Sequence, residues 1–142
     1  DYVGGFTVTA GVGSNELMSE FEQQGDEYKV LLLKSVLDRL AEATTEWLHA
    51  KIRREYWGFA AEENISVNDM FTLKYQGIRP AVGYPSIPDQ SINFLLNNDL
   101  LQSNEIGVEL TENGVMLPNA SVSGIIISHP KSKYFNIGNI LF

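Results

Sequence analysis

Gly77-Ile78-Arg79-Pro80-Ala81-Val82-Gly83-Tyr84-Pro85-Ser86-Ile87-Pro88-Asp89 brings an arginine, a tyrosine and three prolines into one short run. Proline lacks a backbone donor and fixes φ, so the run is neither a helix interior nor a central strand. It reads as a stiff loop. Its side chains suit a ligand. Arginine offers a planar fork of donors to a carboxylate or phosphate. Gly83 lets backbone approach closely, and Tyr84 adds a flat ring with a polar tip. A proline-braced connection between a helix and a sheet accounts for the same residues, and both readings stand at this point.

Upstream of the loop, Tyr2 to Thr9 reads as a strand, broken by Gly11-Val12-Gly13-Ser14. Asn15 is the expected cap of a short helix through Gln23. Gly25-Asp26 opens the longest element, Asp26 to Trp57, closed by Gly58 and spanning about 48 Å as a helix. Stepping 100° per residue puts Leu33, Val36, Leu37, Leu40, Thr44, Trp47 and Leu48 on a core face, with Asp38, Glu42, Glu46, His49 and Arg53 on a solvated one. Ser66 and Asp69 form a capping-box pattern for a short helix to about Tyr75.

Downstream, Gln90 to Leu96 suits another short helix, and the remainder reads as β. Val108–Thr111, Gly114–Leu117, Ser121–Ser128 and Tyr134–Leu141 are strand candidates. Glu112-Asn113-Gly114 is a hairpin turn, and His129-Pro130-Lys131-Ser132 a second turn. Ile125-Ile126-Ile127 is apolar toward both faces, so that strand is expected to be central and covered. The predicted fold is α+β: a mostly antiparallel sheet with one long helix and several short helices laid on one side of it.

Composition narrows the function. The 142 residues make a single domain, long enough for a real core. A net charge of −8 argues against nucleic acid, and no apolar run nears the ~20 residues of a membrane helix. Cysteine is absent, which excludes disulfides and thiolate chemistry and suits a cytoplasmic setting. Lys51, Arg53 and Arg54 form the one basic cluster. It reads either as a cationic last turn complementing the helix dipole or as a docking patch for an acidic protein. Glu46-Trp47-Leu48-His49 has the E-x-x-H spacing of di-iron bundles but lacks the second copy and further glutamates, so no metal site is expected. No nucleophile elbow, Walker loop or dinucleotide glycine fingerprint is present.

The pattern Arg-Pro-Ala-x-Gly-Tyr-Pro resembles the S-adenosylmethionine-binding signature of the activation domain of cobalamin-dependent methionine synthase. Asp1-Tyr2-Val3-Gly4-Gly5-Phe6, Asp38-Arg39-Leu40-Ala41-Glu42-Ala43, Tyr56-Trp57-Gly58-Phe59-Ala60, Leu110-Thr111-Glu112, Ala120-Ser121-Val122-Ser123-Gly124 and Ser128-His129-Pro130-Lys131-Ser132-Lys133-Tyr134-Phe135 resemble that family in the same order, over nearly the whole chain. The resemblance implies S-adenosylmethionine contacts from Glu42, Arg79, Tyr84 and Tyr134. Backbone groups around Ala81 and Gly83 would face adenine edges, and Arg39, one turn from Glu42, would orient it. Arg79 suits the α-carboxylate, Glu42 the ammonium or sulfonium, and the tyrosine rings the cation.

The resemblance further implies a reactivation module. Cobalamin is carried by a partner domain and oxidises occasionally to cob(II)alamin. A flavodoxin or flavoprotein reductase supplies one electron, and the module presents the sulfonium methyl to cobalt. No residue is expected to act as a catalytic acid or base. The family pattern departs at Ile87 and Gln90, where cysteine and histidine are usual, and at Leu117 and Ile125-Ile126, where aromatics are. The family domain is about twice as long, which makes the chain a partial or reduced activation domain. A stand-alone S-adenosylmethionine-binding accessory protein and a non-catalytic interaction module of the same fold stay open on the sequence alone.

Overall fold

The computed structural model describes residues 2–134. The strand expected over Tyr134–Leu141 lies, beyond Tyr134 itself, outside the described residues. Four strands and three α-helices run in the order β1 (Gly4–Thr9), α1 (Ser14–Gln23), α2 (Glu27–Lys51), α3 (Val67–Phe71), β2 (Glu109–Leu110), β3 (Met116–Leu117) and β4 (Ser121–Ile126). Wide π-type turns continue α2 over Ile52–Tyr56 and build a helix over Phe94–Leu100. A single 3-10 turn covers Ser103–Ile106.

β1 and β4 pair antiparallel, from Gly4 opposite Ile126 to Thr9 opposite Ser121. The other edge of β4 is occupied by the arginine–proline run. Ile78 and Ile127 exchange backbone hydrogen bonds of 2.9 Å, Val82 N–H donates to the Ser123 carbonyl, and Ile125 N–H donates to the Pro80 carbonyl. The run is thus not wholly a loop: Ile78 and Ala81 form bridges at a sheet edge. Proline is tolerated there because Pro80 contributes its carbonyl to β4, and an edge position does not need its missing donor. Gly124 makes the approach possible, since a Cβ at that position would lie 2.9 Å from Ala81 Cα and closer still to the Pro80 carbonyl. β4 is therefore central, as its two-sided apolar pattern predicts.

Phe6, Val8 and Ile126 form the buried core, closed by Leu48, Ile52, Phe59 and Val122. α2 covers this face. The opposite face meets the Phe94–Leu100 helix through Thr7, Ser123 and Asn97. Helices thus cover both faces of the sheet, not one. The short hairpin β2–β3 pairs Glu109 with Leu117 and Leu110 with Met116, turning at Gly114 with φ 76°.

The caps follow local chemistry, with small shifts. Asp26 accepts from Lys29 N–H at the start of α2. Ser66 and Asp69 make the reciprocal capping box of α3. That helix stops at Phe71, short of Tyr75, because Leu73 turns to φ 56°. At α1 the expected cap Asn15 lies inside the helix. Gly13, at φ 76°, starts it without a side-chain cap.

The buried side of α2 corrects the reading of its faces. Val30, Ala41, Thr45, His49 and Ala50 are buried, and Arg53 follows them in the π turn with no exposed surface. Val36, Leu40 and Trp47 are instead about half exposed, at 46%, 51% and 54%. The buried row advances every fourth residue from Ala41 to Arg53. Such a ridge runs obliquely to the helix axis, so a fixed sector of a helical wheel mistakes which residues meet the sheet.

Candidate functional site

Three segments converge beside the β4 edge. α2 supplies Glu42, the edge segment supplies Arg79 and Ala81, and the turn after it supplies Tyr84. Tyr134 closes the site from beyond the His129–Ser132 turn, where the Ser132 N–H donates to the His129 carbonyl. Together with Tyr75, Leu73, Pro85 and Val122, these residues line a cleft of about 500 Å³. That volume lies within the ordinary range for small-molecule sites. Beside it, a trough of about 420 Å³ shares Glu42, Ala81 and Tyr84 and adds Arg39 and Asp38. A further cleft of about 520 Å³, between Gly11–Asn15 and Pro118–Ala120, contains none of the ligand-contact residues that the resemblance implies.

The anchoring of each side chain is asymmetric. Arg79 is held twice. Its backbone N–H donates to the Tyr134 hydroxyl at 2.8 Å, and its guanidinium Nη2 donates to Glu46 Oε1. The Tyr134 hydroxyl is thereby engaged by the edge segment, which leaves its ring as the part available to the cleft. Glu42 is exposed and has no ion-pair partner among the described residues. Arg39 lines the neighbouring trough, and no hydrogen bond or ion pair joins it to Glu42. Gly83 does not line the cleft. Its φ of 90° favours glycine, its N–H donates to the Ile87 carbonyl at 2.8 Å, and a Cβ there would strike the Gln90 side chain.

Beneath the cleft lies a cluster of buried polar groups. Arg53 donates from Nε and Nη2 to Glu63, the shortest bond being 2.6 Å, and its guanidinium stacks 4.3 Å from the Tyr75 ring. His49 meets Tyr75 edge-on with ring centroids 5.0 Å apart. Neither His49 nitrogen has a hydrogen-bond partner among the described residues. Burial, then the charges of Arg53 and Arg79, pulls the imidazole down to about 3, so it is neutral at neutral pH. Burial above all, and then neighbouring Tyr134, holds the Tyr75 phenol above its usual range.

This cluster revises two readings. Glu46 and His49 do not form a solvated pair: Glu46 turns to Arg79 and His49 is buried. No group of three or more metal-ligating side chains occurs among the described residues. The basic cluster is likewise dispersed. Lys51 pairs with Glu55 at 2.7 Å and Arg53 with Glu63, so two of its three charges are neutralised locally, while exposed Arg54 has no carboxylate partner among the described residues. Sequence reading missed Glu46 and Tyr75 as neighbours of the site. Glu46 had a usable signal, lying one helical turn beyond Glu42. Tyr75 had none.

The fold and cleft define a class: an α+β domain in which a sheet-edge segment and one long helix frame a cleft lined by an arginine, a carboxylate and three tyrosines. The chain belongs to the family of the vitamin B12 dependent methionine synthase activation domain, whose model matches residues 1–141. It is similar to the crystal structure of the MetH reactivation domain bound to AdoHcy, with 45% identity and a TM-score of 0.90 over 95% of this chain. The chain spans 42% of that domain's length.

Proposed function

We propose that this chain binds S-adenosylmethionine in the cleft between Glu42 and Arg79 and presents its methyl group for reductive remethylation of cob(II)alamin. The convergence of Glu42, Arg79, Tyr84 and Tyr134 on one cleft carries the reading. AdoHcy on the similar reactivation domain supports it, being the same nucleoside without the transferable methyl.

The residues fit such a ligand. Arg79 has a guanidinium nitrogen, Nη1, without a hydrogen bond among the described residues and suits the α-carboxylate. Glu42 lines the same cleft without a cationic partner among the described residues and suits the ammonium or the sulfonium. Tyr84, 59% exposed, and Tyr134 offer ring faces to the cation. The work of the chain is orientation, which supplies much of the rate in methyl transfer. The corrin of a separate cobalamin-binding domain and a flavodoxin or flavoprotein reductase supply the bond-forming and electron-transfer chemistry.

Calorimetric titration tests the reading. The 142-residue chain should bind S-adenosylmethionine, and Arg79→Ala should weaken it by about 1.5–3 kcal/mol, the value of a hydrogen bond to a charged group. Equal affinity in the two proteins would remove Arg79 from the site.

A further inference from the structure

We infer that Glu46 is a positioning residue: it fixes Arg79 so that one edge of the guanidinium faces the cleft and reads the carboxylate of the ligand. The inference rests on the ligand proposed above, and it concerns a residue that the arginine–proline signature does not contain.

Three observations carry it. The first is the bond itself, from Arg79 Nη2 to Glu46 Oε1, between side chains only 13% and 23% exposed. The second is what the bond leaves over. Arg79 Nε and Glu46 Oε2 are both buried without partners, so the pair is joined at a single point rather than as a fork. Nη1 makes no hydrogen bond among the described residues and is not among the buried unpartnered atoms, and Arg79 lines the cleft, so Nη1 is the donor that this inference assigns to the ligand. The third is the electrostatic setting. Arg53 and Arg79 both act on the buried ring of His49, and each has one carboxylate partner, Glu63 and Glu46 respectively. Without Glu46, Arg79 would keep its cation near Arg53 with nothing to hold it. A long side chain gains rotamer freedom when released, and ordering it again upon binding subtracts from affinity.

Glu46 therefore acts on one part of the ligand only. It does not line the cleft, so its effect reaches the ligand through Arg79. This separates positioning from a general structural role. The discriminating probe is a pair of ligands, S-adenosylmethionine and its decarboxylated analogue, titrated against the wild-type chain, Glu46→Gln and Glu46→Ala. The unfolding midpoint of each protein is recorded to confirm that it is folded.

The wild-type chain should prefer S-adenosylmethionine about 10-fold or more, the worth of one charge-assisted contact. Glu46→Ala should bring that preference close to unity while leaving the decarboxylated ligand's affinity unchanged. Glu46→Gln, which keeps an acceptor but not the charge, should fall between. Equal weakening of both ligands in a folded Glu46→Ala protein would overturn the inference in favour of a structural role. Tighter S-adenosylmethionine binding by either variant would overturn it in favour of competition for Arg79. A wild-type chain that binds neither ligand would overturn the ligand reading, and this inference with it. A wild-type chain that binds both equally would spare the ligand but remove the carboxylate contact.

Discussion

Two groups of buried polar side chains lie on opposite faces of the same strands, and they are finished differently. On the far face Asn97 is a saturated hub. Its Oδ1 accepts from Thr7 and Ser103, each at 2.7 Å, and its Nδ2 donates to Asn93 and Ser123. Asn93 extends the network to the Gly114 carbonyl at 2.9 Å. On the near face, beneath the cleft, Glu46, His49, Arg53, Tyr75 and Arg79 each carry at least one buried atom with no partner among the described residues. A satisfied network specifies packing, whereas unpartnered buried groups cost free energy and persist where function sets them. The first group holds a helix to the sheet. The second underlies the cleft proposed to bind the ligand.

Mutations that cross the two groups sharpen this contrast. The largest effect is expected from Glu63→Ala, which strands the Arg53 guanidinium in the interior. Loss of one partner of a buried pair costs about 3–5 kcal/mol, so the midpoint of urea denaturation should fall steeply. An effect below about 1 kcal/mol would mean that Arg53 finds other partners or water.

Asn97→Ala should come next, at about 2–3 kcal/mol, because several groups lose their partner at once. If the far network is purely structural, ligand affinity in the folded variant stays at the wild-type value. A matching loss of affinity would join the two faces and break the comparison.

The most gradual effect concerns pH. His49 takes up a proton readily only when unfolded, since its native value lies near 3 against an ordinary 6.5. The unfolded state therefore binds more protons below pH 6.5, and stability falls as pH falls from there toward 3. The slope is at most about 1.4 kcal/mol per pH unit. His49→Leu should flatten the curve between pH 6.5 and 4.5. Asp26, Asp69 and Asp89 are held below the ordinary 3.8 by N–H and Lys or Ser partners, and contribute only lower down. An unchanged curve would show that His49 is reached by water in the native state.

The legible and illegible parts of this molecule differ in range. Asp26, Ser66 with Asp69, and Asn113-Gly114 act within a few residues, and their caps and turn stand where local chemistry puts them. The sequence also marked β4 as central through Ile125-Ile126-Ile127. Tertiary partners were harder to read. Arg53 looks solvated until Glu63, ten residues on, folds back to neutralise it. Pro80 looks like a strand breaker until its carbonyl is seen to meet Ile125 at an edge. The resemblance gathered Glu42, Arg79, Ala81, Tyr84 and Tyr134, which line one cleft, and Gly83, which does not. Glu46 reads as solvated because its partner Arg79 is distant in the chain.

Glu42 and Glu46 stand one turn apart on α2, a separation of about 6 Å along the axis. One points to an open cleft, and the other grips the arginine on the facing segment. A single rigid rod thus carries the reference marks for both ends of the amino-acid portion of the proposed ligand. If α2 slides along the sheet, both marks shift by the same amount and their spacing survives. An inserted residue between them would turn one mark by about 100° relative to the other, and the helix would cease to be a ruler.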